Sequence, residues 1–137
     1  ALGQARYAQI NTPLSQKLAQ KKCLIAVHRG SWGGNITQNT IGAYAAALQM
    51  GADMVESDVN ATTDGVLYSF HDGNEKRVFG VEKGIREMDS KEVEGYHPIN
   101  TCNEPTAARI NRLTEVLDFL SHGERLDGGA LETDGAE

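Results

Sequence analysis

The sequence has little positive charge, few aromatic residues and no long hydrophobic run. Its 137 residues include 13 Lys and Arg against 19 Asp and Glu, which gives a formal net charge of −6. This shortage of basic residues argues against a nucleic-acid partner, because phosphate backbones are bound through a basic face. No apolar stretch approaches the roughly 20 residues of a membrane span, so we expect no transmembrane segment. No signal segment opens the sequence, which leaves cytoplasmic and secreted locations equally open.

Cysteine is scarce as well, with Cys23 and Cys102 as the only two. Their number and separation do not resemble a disulfide framework, and they are too few for a zinc site of their own. Cys23 opens an apolar run, where we expect a small buried hydrophobe. Cys102 lies in a polar stretch that indicates a loop. We therefore expect no disulfide and look for function in other side chains.

The composition, 39% hydrophobic and 23% charged, is that of a soluble globular protein. Thr12 and Pro13 predict the start of a leading helix that ends near Lys22, because proline suits the first helical turn. The apolar run CLIAVH, residues 23–28, predicts a strand buried on both faces. A glycine-rich loop follows this strand.

The clearest predicted helix is NTIGAYAAALQMG, which begins after a cap at Asn39 or Thr40 and stops at Gly51. Its expected buried face is formed by Ile41, Tyr44, Ala45 and Leu48. The next segment, DMVESDV (53–59), predicts a second strand. Strand, helix and strand in this order indicate a βαβ unit, and so an α/β fold with a parallel sheet or barrel.

The remaining segments predict a turn, a third strand and a long polar block. Asp64-Gly65 suits the turn, and VLYSFH (66–71) suits the strand. Residues 72–112 are polar and indicate irregular structure with one small helix in DSKEVEGY. LTEVLDFLSHG (113–123) predicts a final helix. Its expected apolar face is Leu113, Val116, Leu117 and Leu120, and GALETDGAE at the end would start another strand.

Polar pairs stand at the ends of the predicted strands. They are His28-Arg29, Glu56 with Asp58, and His71-Asp72. Residues two apart on a strand point to the same face, so Glu56 and Asp58 form a carboxylate pair. Two buried carboxylates without partners would be very costly, and a hard cation such as Ca²⁺ or Mg²⁺ would account for them.

Two histidines and an arginine beside such a cation suit phosphoryl chemistry. Arg29 and the cation would neutralise and orient a phosphate. One histidine would take a proton from the attacking group and the other would protonate the leaving alkoxide. The sequence does not decide which histidine has which role. Each pair alone is more often an exposed strand end with ordinary salt bridges than a catalytic group, and only the ordered combination is informative.

That combination resembles the glycerophosphodiester phosphodiesterase family, whose pattern is His-Arg, then Glu-x-Asp, then His-Asp. The segments HRG, NT at the helix start, GADMVESDV, TTDGV, FHD and RLTEVLDFL resemble it too. The resemblance implies a TIM-type (β/α)₈ barrel whose site lies at the carboxyl ends of the strands. It also implies metal-dependent hydrolysis of a glycerophosphodiester to glycerol 3-phosphate and an alcohol, with attack at phosphorus by the substrate's own glycerol hydroxyl through a cyclic intermediate.

By motif position, the resemblance assigns His28 and His71 as the general acid/base pair and Arg29 as a phosphate contact. It assigns Glu56 and Asp58 as ligands of Ca²⁺ or Mg²⁺. Relatives carry a third acidic ligand on the next barrel strand, usually followed two residues later by lysine. The nearest match is Glu132, although Asp134 stands where that lysine would be. Relatives also have glutamate where this chain has Gln38, which reduces the local charge.

The length, about half of the roughly 250 residues of such a barrel, predicts that only its N-terminal half is present. We expect one domain, 1–137, made of a leading helix (1–22), a motif-bearing core (23–72), an insertion-like segment (73–112), and a helix with a truncated tail (113–137). Half a barrel leaves open sheet edges, so we expect a homo-oligomer, a swapped assembly or poor activity.

Two other functions stay open. One is a lipid-directed phosphodiesterase of the sphingomyelinase D or lysophospholipase D type, whose site is related. The other is a non-catalytic barrel module, which Gln38 and the doubtful Glu132 favour. Gly30, directly after His28-Arg29, is expected to let the backbone turn where a side chain would block the phosphate.

Overall fold

The computed structural model describes residues 2–20 and 22–122 of the chain. The helices are α1 (Leu2–Ala19), α2 (Ile41–Gln49), α3 (Glu75–Phe79), α4 (Ser90–Gly95) and α5 (Leu113–His122), with a 3₁₀ turn at Ile85–Glu87. The strands are β1 (Ala26–His28), β2 (Met54–Glu56), β3 (Val59–Ala61) and β4 (Leu67–Ser69). Glu132 and the predicted strand at 129–137 lie outside the described residues.

The predicted βαβ unit is present. Strands β1 and β2 pair in parallel and α2 connects them, with Ala26 opposite Met54 and His28 opposite Glu56. Strand β1 is shorter than the 23–28 run, and the prediction that this run is buried on both faces was wrong. Ala26 and His28 are exposed and Val27 is half-buried, since in the described part of the chain only β2 pairs with β1.

Helix α2 begins and ends where the sequence indicates. The Thr40 side chain caps it by accepting a hydrogen bond from the Ala43 amide at 3.4 Å, and Gly51 follows its end with φ +93°. The predicted buried face was partly wrong. The buried residues are Ala43, Tyr44, Ala45 and Ala47, whereas Ile41 and Leu48 are half-buried. Small alanines face inward because the loop after β1 lies close against this helix.

Gly30 makes that close approach possible. It has φ +76°, and a Cβ built on it would lie 2.6 Å from the Ala43 carbonyl carbon and 2.8 Å from the Ala43 Cβ. Real Cβ atoms do not come this close to a backbone. The glycine is therefore required by the contact between this loop and helix α2. The sequence analysis expected a different reason, namely that a side chain here would block the phosphate.

The segment predicted as one strand, 53–59, divides in two. Strand β2 ends at Glu56, and β3 begins at Val59 and pairs with β4 in an antiparallel hairpin. The turn predicted at Asp64-Gly65 is confirmed: the Gly65 amide donates to the Thr62 carbonyl at 3.0 Å, and φ of Gly65 is +80°. The described strands thus form two two-stranded sheets, and no closed barrel is present among them.

A buried apolar cluster lies mostly in the block that was predicted to be irregular. Its members are Tyr68, Phe70, Val78, Phe79, Ile85, Met88, Val93 and Ile110. Phe79 stacks between Phe70 and Tyr96, with both centroid distances 5.3 Å. The small helix predicted in DSKEVEGY is confirmed as α4, and α3 and the 3₁₀ turn were not predicted. Residues 73–112 therefore fold against the β3–β4 hairpin as part of the core.

The two terminal helices differ from the predictions in detail. Helix α1 begins at Leu2 rather than at Thr12, and Pro13 lies inside it. Its Lys17 Nζ contacts Asp53 Oδ1 at 2.6 Å, which ties the helix to the segment before β2. Helix α5 buries Val116 as predicted, but the adjacent Leu117 is 53% exposed, so its assignment to the apolar face was wrong.

The cysteine predictions were half right. Cys23 and Cys102 are both free, as expected, but Cys23 is exposed and not a buried hydrophobe. Among the described residues, no helix combines the length and apolar character needed to cross a membrane.

Candidate active site

The parallel register of β1 and β2 brings the first two sequence motifs together. His28 and Glu56 are Cα partners at the last position of their strands. The His28 Nε2 atom lies 3.9 Å from Glu56 Oε2, and the His28 side chain is 70% exposed. This distance is too long for a hydrogen bond, so the exposed His28 ring is accessible to a ligand from solvent and lies close to a carboxylate.

Arg29 crosses from this pair toward Asp58. Its backbone has φ +59°, and its amide donates to Glu56 Oε2 at 3.1 Å. Its Nε atom lies 3.1 Å from Asp58 Oδ2, although the N–H is not aligned well enough for a hydrogen bond. Its Nη1 atom donates to Gln38 Oε1 at 3.0 Å. Backbone and guanidinium are thus both held by side chains from neighbouring segments.

Asn39 fixes the second carboxylate. Its Nδ2 donates to Asp58 Oδ2 at 3.0 Å, and its Oδ1 accepts from the Asp58 amide at 3.2 Å. The same Oδ1 accepts from Tyr44 Oη at 3.1 Å, and burial raises the pKa of this phenol. The sequence indicated Asn39 or Thr40 as the helix cap. Because Thr40 is the cap, Asn39 is available for Asp58, a role that the sequence analysis missed.

A hydrogen-bonded chain links Arg29 to the third motif. Gln38, which is 5% exposed, donates from Nε2 to Asn74 Oδ1 at 3.5 Å. Asn74 Nδ2 lies 3.1 Å from His71 Nδ1, and that nitrogen also lies 2.6 Å from the carbonyl oxygen of Asp72. The nitrogen accepts from Asn74 in one tautomer and donates to Asp72 in the other. The sequence analysis noted Gln38 only for its missing charge and did not predict this bridging role, and it missed Asn74 altogether.

His71 lies two residues after the end of strand β4, next to Phe70. The Phe70 amide donates to the Asp58 carbonyl at 3.0 Å, which fixes the two segments together. The Asp72 carboxylate points to Arg86 instead, at 3.1 Å from its Nη2. The structure thus connects His28, Arg29, Glu56, Asp58 and His71 through direct contacts and two bridging amides.

Glu56 and Asp58 offer the carboxylate oxygens that Ca²⁺ and Mg²⁺ prefer. The donor chemistry therefore fits a hard divalent cation. The set is small, because the described part of the chain contains no group of three or more His, Cys, Asp or Glu that could hold a metal. Asp58 is also engaged by Arg29 and Asn39. The third ligand suggested by the resemblance, Glu132, lies outside the described residues.

A βαβ unit with histidine, arginine and carboxylates at the carboxyl ends of its strands is the arrangement of a TIM-barrel enzyme that acts at those ends. Comparison with known proteins gives the family. Residues 28–131 match the Glycerophosphoryl diester phosphodiesterase family, and the chain belongs to it. The resemblance drawn from the motifs is confirmed, and the fold is part of a TIM-type barrel.

Relatives of known name agree. The chain is 36% identical over 100 residues to the glycerophosphodiester phosphodiesterase of Caldanaerobacter subterraneus subsp. tengcongensis, covering 72% of this chain and 41% of that protein. It is 38% identical over 69 residues to human Lysophospholipase D GDPD1, covering 50% and 22%. The crystal structure of glycerophosphodiester phosphodiesterase from Agrobacterium tumefaciens matches with a TM-score of 0.61 at 31% identity, covering 72% and 42%. The chain therefore spans about two fifths of the first of these relatives.

Proposed function

We propose that this chain carries the catalytic centre of a glycerophosphodiester phosphodiesterase, which releases glycerol 3-phosphate and an alcohol. The single observation that supports this most strongly is the convergence of three separate segments. The β1–β2 register places His28 beside Glu56, and Arg29 connects both to Asp58 and, through Gln38 and Asn74, to His71. Family membership supports the same reaction class.

In the proposed mechanism Arg29 binds the substrate phosphate. Its guanidinium is held by Asp58 and Gln38, so little side-chain freedom is lost when a phosphate arrives. Arginine matches phosphate geometry because its planar fork carries several N–H donors. Asp58 offsets part of the positive charge, so Arg29 attracts the diester without a large desolvation cost.

The two histidines exchange protons with the reacting oxygens. A glycerol hydroxyl of the substrate or a water molecule attacks phosphorus, and one histidine takes the proton that this nucleophile loses. As the new P–O bond forms, the P–O bond to the alcohol breaks, and the other histidine gives its proton to the leaving oxygen. If the glycerol hydroxyl attacks, water then opens the cyclic phosphodiester to glycerol 3-phosphate. No nucleophilic side chain is required.

Glu56 and Asp58 are the residues that would hold the divalent cation, Ca²⁺ or Mg²⁺. Such an ion, when bound, would act as a Lewis acid on the phosphoryl oxygens and neutralise part of their charge. The Glu56 carboxylate also accepts a hydrogen bond from the Arg29 amide, so it positions the arginine backbone independently of any metal.

The test is glycerol 3-phosphate release from a panel of glycerophosphodiesters, with added Ca²⁺ or Mg²⁺ and with excess EDTA. We expect release with metal, loss of release in EDTA, and strong loss in Glu56→Gln. The matched control is Glu82→Gln, since Glu82 is an exposed carboxylate whose ion-pair partner among the described residues is Lys76. Equal release in EDTA would contradict the metal-dependent mechanism.

Two other functions can be distinguished by further measurements on the same protein. The similarity to human Lysophospholipase D GDPD1 favours a lipid-directed substrate, which would appear as faster turnover of lysophospholipids than of deacylated diesters. A non-catalytic module is the other alternative, because Gln38 is uncharged where relatives carry glutamate. Calorimetric titration with Ca²⁺ and Mg²⁺ that shows no binding by a folded chain would favour the inert module.

A further inference from the structure

A cavity of about 270 Å³ lies next to the candidate active site. Gln38 lines this cavity, whereas the proposed catalytic histidines, Arg29 and the two carboxylates do not. We call it the Trp32 cavity. It lies between the loop after β1, helix α3 and the loop at 99–103. Its lining includes Trp32, Ile36, Gln38, Lys76, Arg77 and Asn100. Gln38 is shared, because its amide also contacts Arg29 and Asn74.

Gln38 separates the cavity from Arg29, so a ligand in the cavity would lie next to a phosphate bound at Arg29. Arg29 is hydrogen-bonded to Gln38 Oε1 at 3.0 Å, and Gln38 also lines the cavity. A phosphodiester bound at Arg29 has two organic groups, and one of them must leave the phosphate toward a neighbouring wall. The Trp32 cavity has room for a small polyol or head group on that side.

The charge of the cavity limits which group fits. Lys76 and Arg77 line it, and no Asp or Glu is among its described lining residues. Lys76 is paired with the exposed Glu82. The Arg77 guanidinium lies 4.5 Å from the centre of the Trp32 ring, and within the described residues it has no ion pair. Its N–H donors therefore remain available to oxygen atoms of a ligand.

The same stacking acts against a cationic ligand. Quaternary ammonium groups are bound in proteins by the faces of aromatic rings, and Trp32 is the only tryptophan of the chain. One face of this ring is already covered by Arg77. A choline group would meet a second cation there and no carboxylate. Hydroxyl, carboxylate and phosphate oxygens would instead meet the Arg77 donors, because the side-chain amides of Gln38 and Asn100 already donate to Asn74 and Asn35.

We propose that the Trp32 cavity binds the alcohol moiety of the phosphodiester, and that Arg77 makes it select hydroxyl-rich neutral or anionic alcohols over quaternary ammonium alcohols. This assignment rests on the proposed phosphodiesterase function for its substrate class. Arg77 is a specificity residue in this proposal and takes no part in proton transfer. A glycerophosphodiester of a polyol, such as glycerophosphoinositol, is the preferred ligand, and glycerophosphocholine is the disfavoured one.

The experiment uses Trp32 as its own reporter, because a chain with one tryptophan gives one indole fluorescence signal. The chain is titrated with glycerophosphoinositol and, separately, with glycerophosphocholine, and Kd is obtained from the change in emission. We expect glycerophosphoinositol to bind about tenfold tighter, the size expected for a hydrogen bond to a charged group. Arg77→Gln should abolish that preference by weakening glycerophosphoinositol binding.

The matched control is Lys91→Gln, which removes one exposed positive charge from helix α4, away from the cavity lining. It should keep the preference of the unaltered chain. Equal Kd values for the two diesters, an unchanged preference in Arg77→Gln, or no emission change with either ligand would each overturn the proposal.

Turnover measured in parallel separates this proposal from the proposed function. If both diesters are hydrolysed and Arg77→Gln keeps the original preference, the cavity assignment is wrong and the phosphodiesterase function stands. If glycerophosphoinositol binds with an Arg77-dependent preference but no glycerol 3-phosphate is released, the cavity assignment stands and the phosphodiesterase function is wrong.

Discussion

Arg29 shows how single residues build this site. Its φ of +59° is uncommon for a residue with a side chain and costs on the order of 1–2 kcal/mol. The turn that this conformation produces sends the backbone amide to Glu56 and the guanidinium to Asp58. Asn39, at φ +56°, bonds Asp58 from the other side. Strained backbone is concentrated where the phosphate is proposed to bind, as is common at functional sites.

Gly30 gives a residue-scale prediction. Gly30→Ala should lower the free energy of unfolding by about 3 kcal/mol or more, because its Cβ would overlap the Ala43 backbone as well as adopt a left-handed φ. Gly80→Ala is the control, since Gly80 has nearly the same φ, +74°, with no atom within 4 Å of the added Cβ. It should cost only about 1 kcal/mol. Urea denaturation of both variants measures the difference, and equal costs would show that the helix contact is unimportant.

At the scale of elements, sequence periodicity was reliable where one local rule decided the structure. Helix α2 has a capping threonine and a terminal glycine, so its limits were predictable. Strand β2 was overextended because no glycine or proline interrupts residues 53–59 in the sequence, and only the tertiary pairing of Val59 with Ser69 shows that a second strand begins there. The core in 73–112 was missed because its apolar residues are spread singly through a polar block.

The site was predictable to a similar extent. The motifs named the histidines, the arginine and the carboxylates, because charged residues at strand ends are visible in the sequence. The amides that hold them, Gln38, Asn39 and Asn74, were not predictable as such. An amide side chain is common in any loop, and its partner depends on which distant segments meet.

Asp64 links two elements and gives a pH prediction. Its carboxylate accepts hydrogen bonds from Ser90 Oγ and from Thr62 Oγ1, which tie the β3–β4 turn to the start of helix α4. The Ser90 bond is the larger cause that lowers the pKa of Asp64 to about 2, from an ordinary value of 3.8. This carboxylate therefore stabilises the fold fully above about pH 5 and loses that contribution as the pH falls through 3.8 toward 2.

The measurement is the unfolding free energy of the unaltered chain and of Asp64→Ala between pH 7 and pH 2. The difference between them should be largest near neutral pH and shrink progressively below about pH 4, because unfolded Asp64 binds a proton near its ordinary pKa of 3.8 whereas folded Asp64 does so only near 2. A difference that stays constant down to pH 2 would mean that the hydrogen bonds to Asp64 do not stabilise the ionised carboxylate more than the protonated one.

At the scale of the whole molecule, the described strands leave edges uncovered. Strands β1 and β2 pair only with each other among these residues, and the large side chains of Met54, Val59 and Leu67 are exposed. The family fold closes such strands into a barrel, and this chain spans 41% of its Caldanaerobacter relative. Open edges and apolar strand residues favour pairing with a second chain.

We therefore predict that the 137-residue chain self-associates. Sedimentation velocity over a concentration series should show dimers or larger species, because pairing edge to edge would cover the exposed strand residues. Dilution should reverse association if it is a specific pairing. A species that remains a monomer at the highest concentration and unfolds cooperatively would show that the chain covers its own strand edges.

The central claim is that His28, Arg29, Glu56, Asp58 and His71 form one phosphodiester-hydrolysing centre. The most direct test is the rate of glycerol 3-phosphate release from a glycerophosphodiester by the unaltered chain, by His71→Ala and by the control His97→Ala, whose histidine is exposed and contacts Arg109. We predict a loss of about 10²- to 10⁴-fold in His71→Ala, the contribution typical of a general acid or base, and an unchanged rate in His97→Ala. No release by the unaltered chain, or an equal rate in all three proteins, would contradict the account.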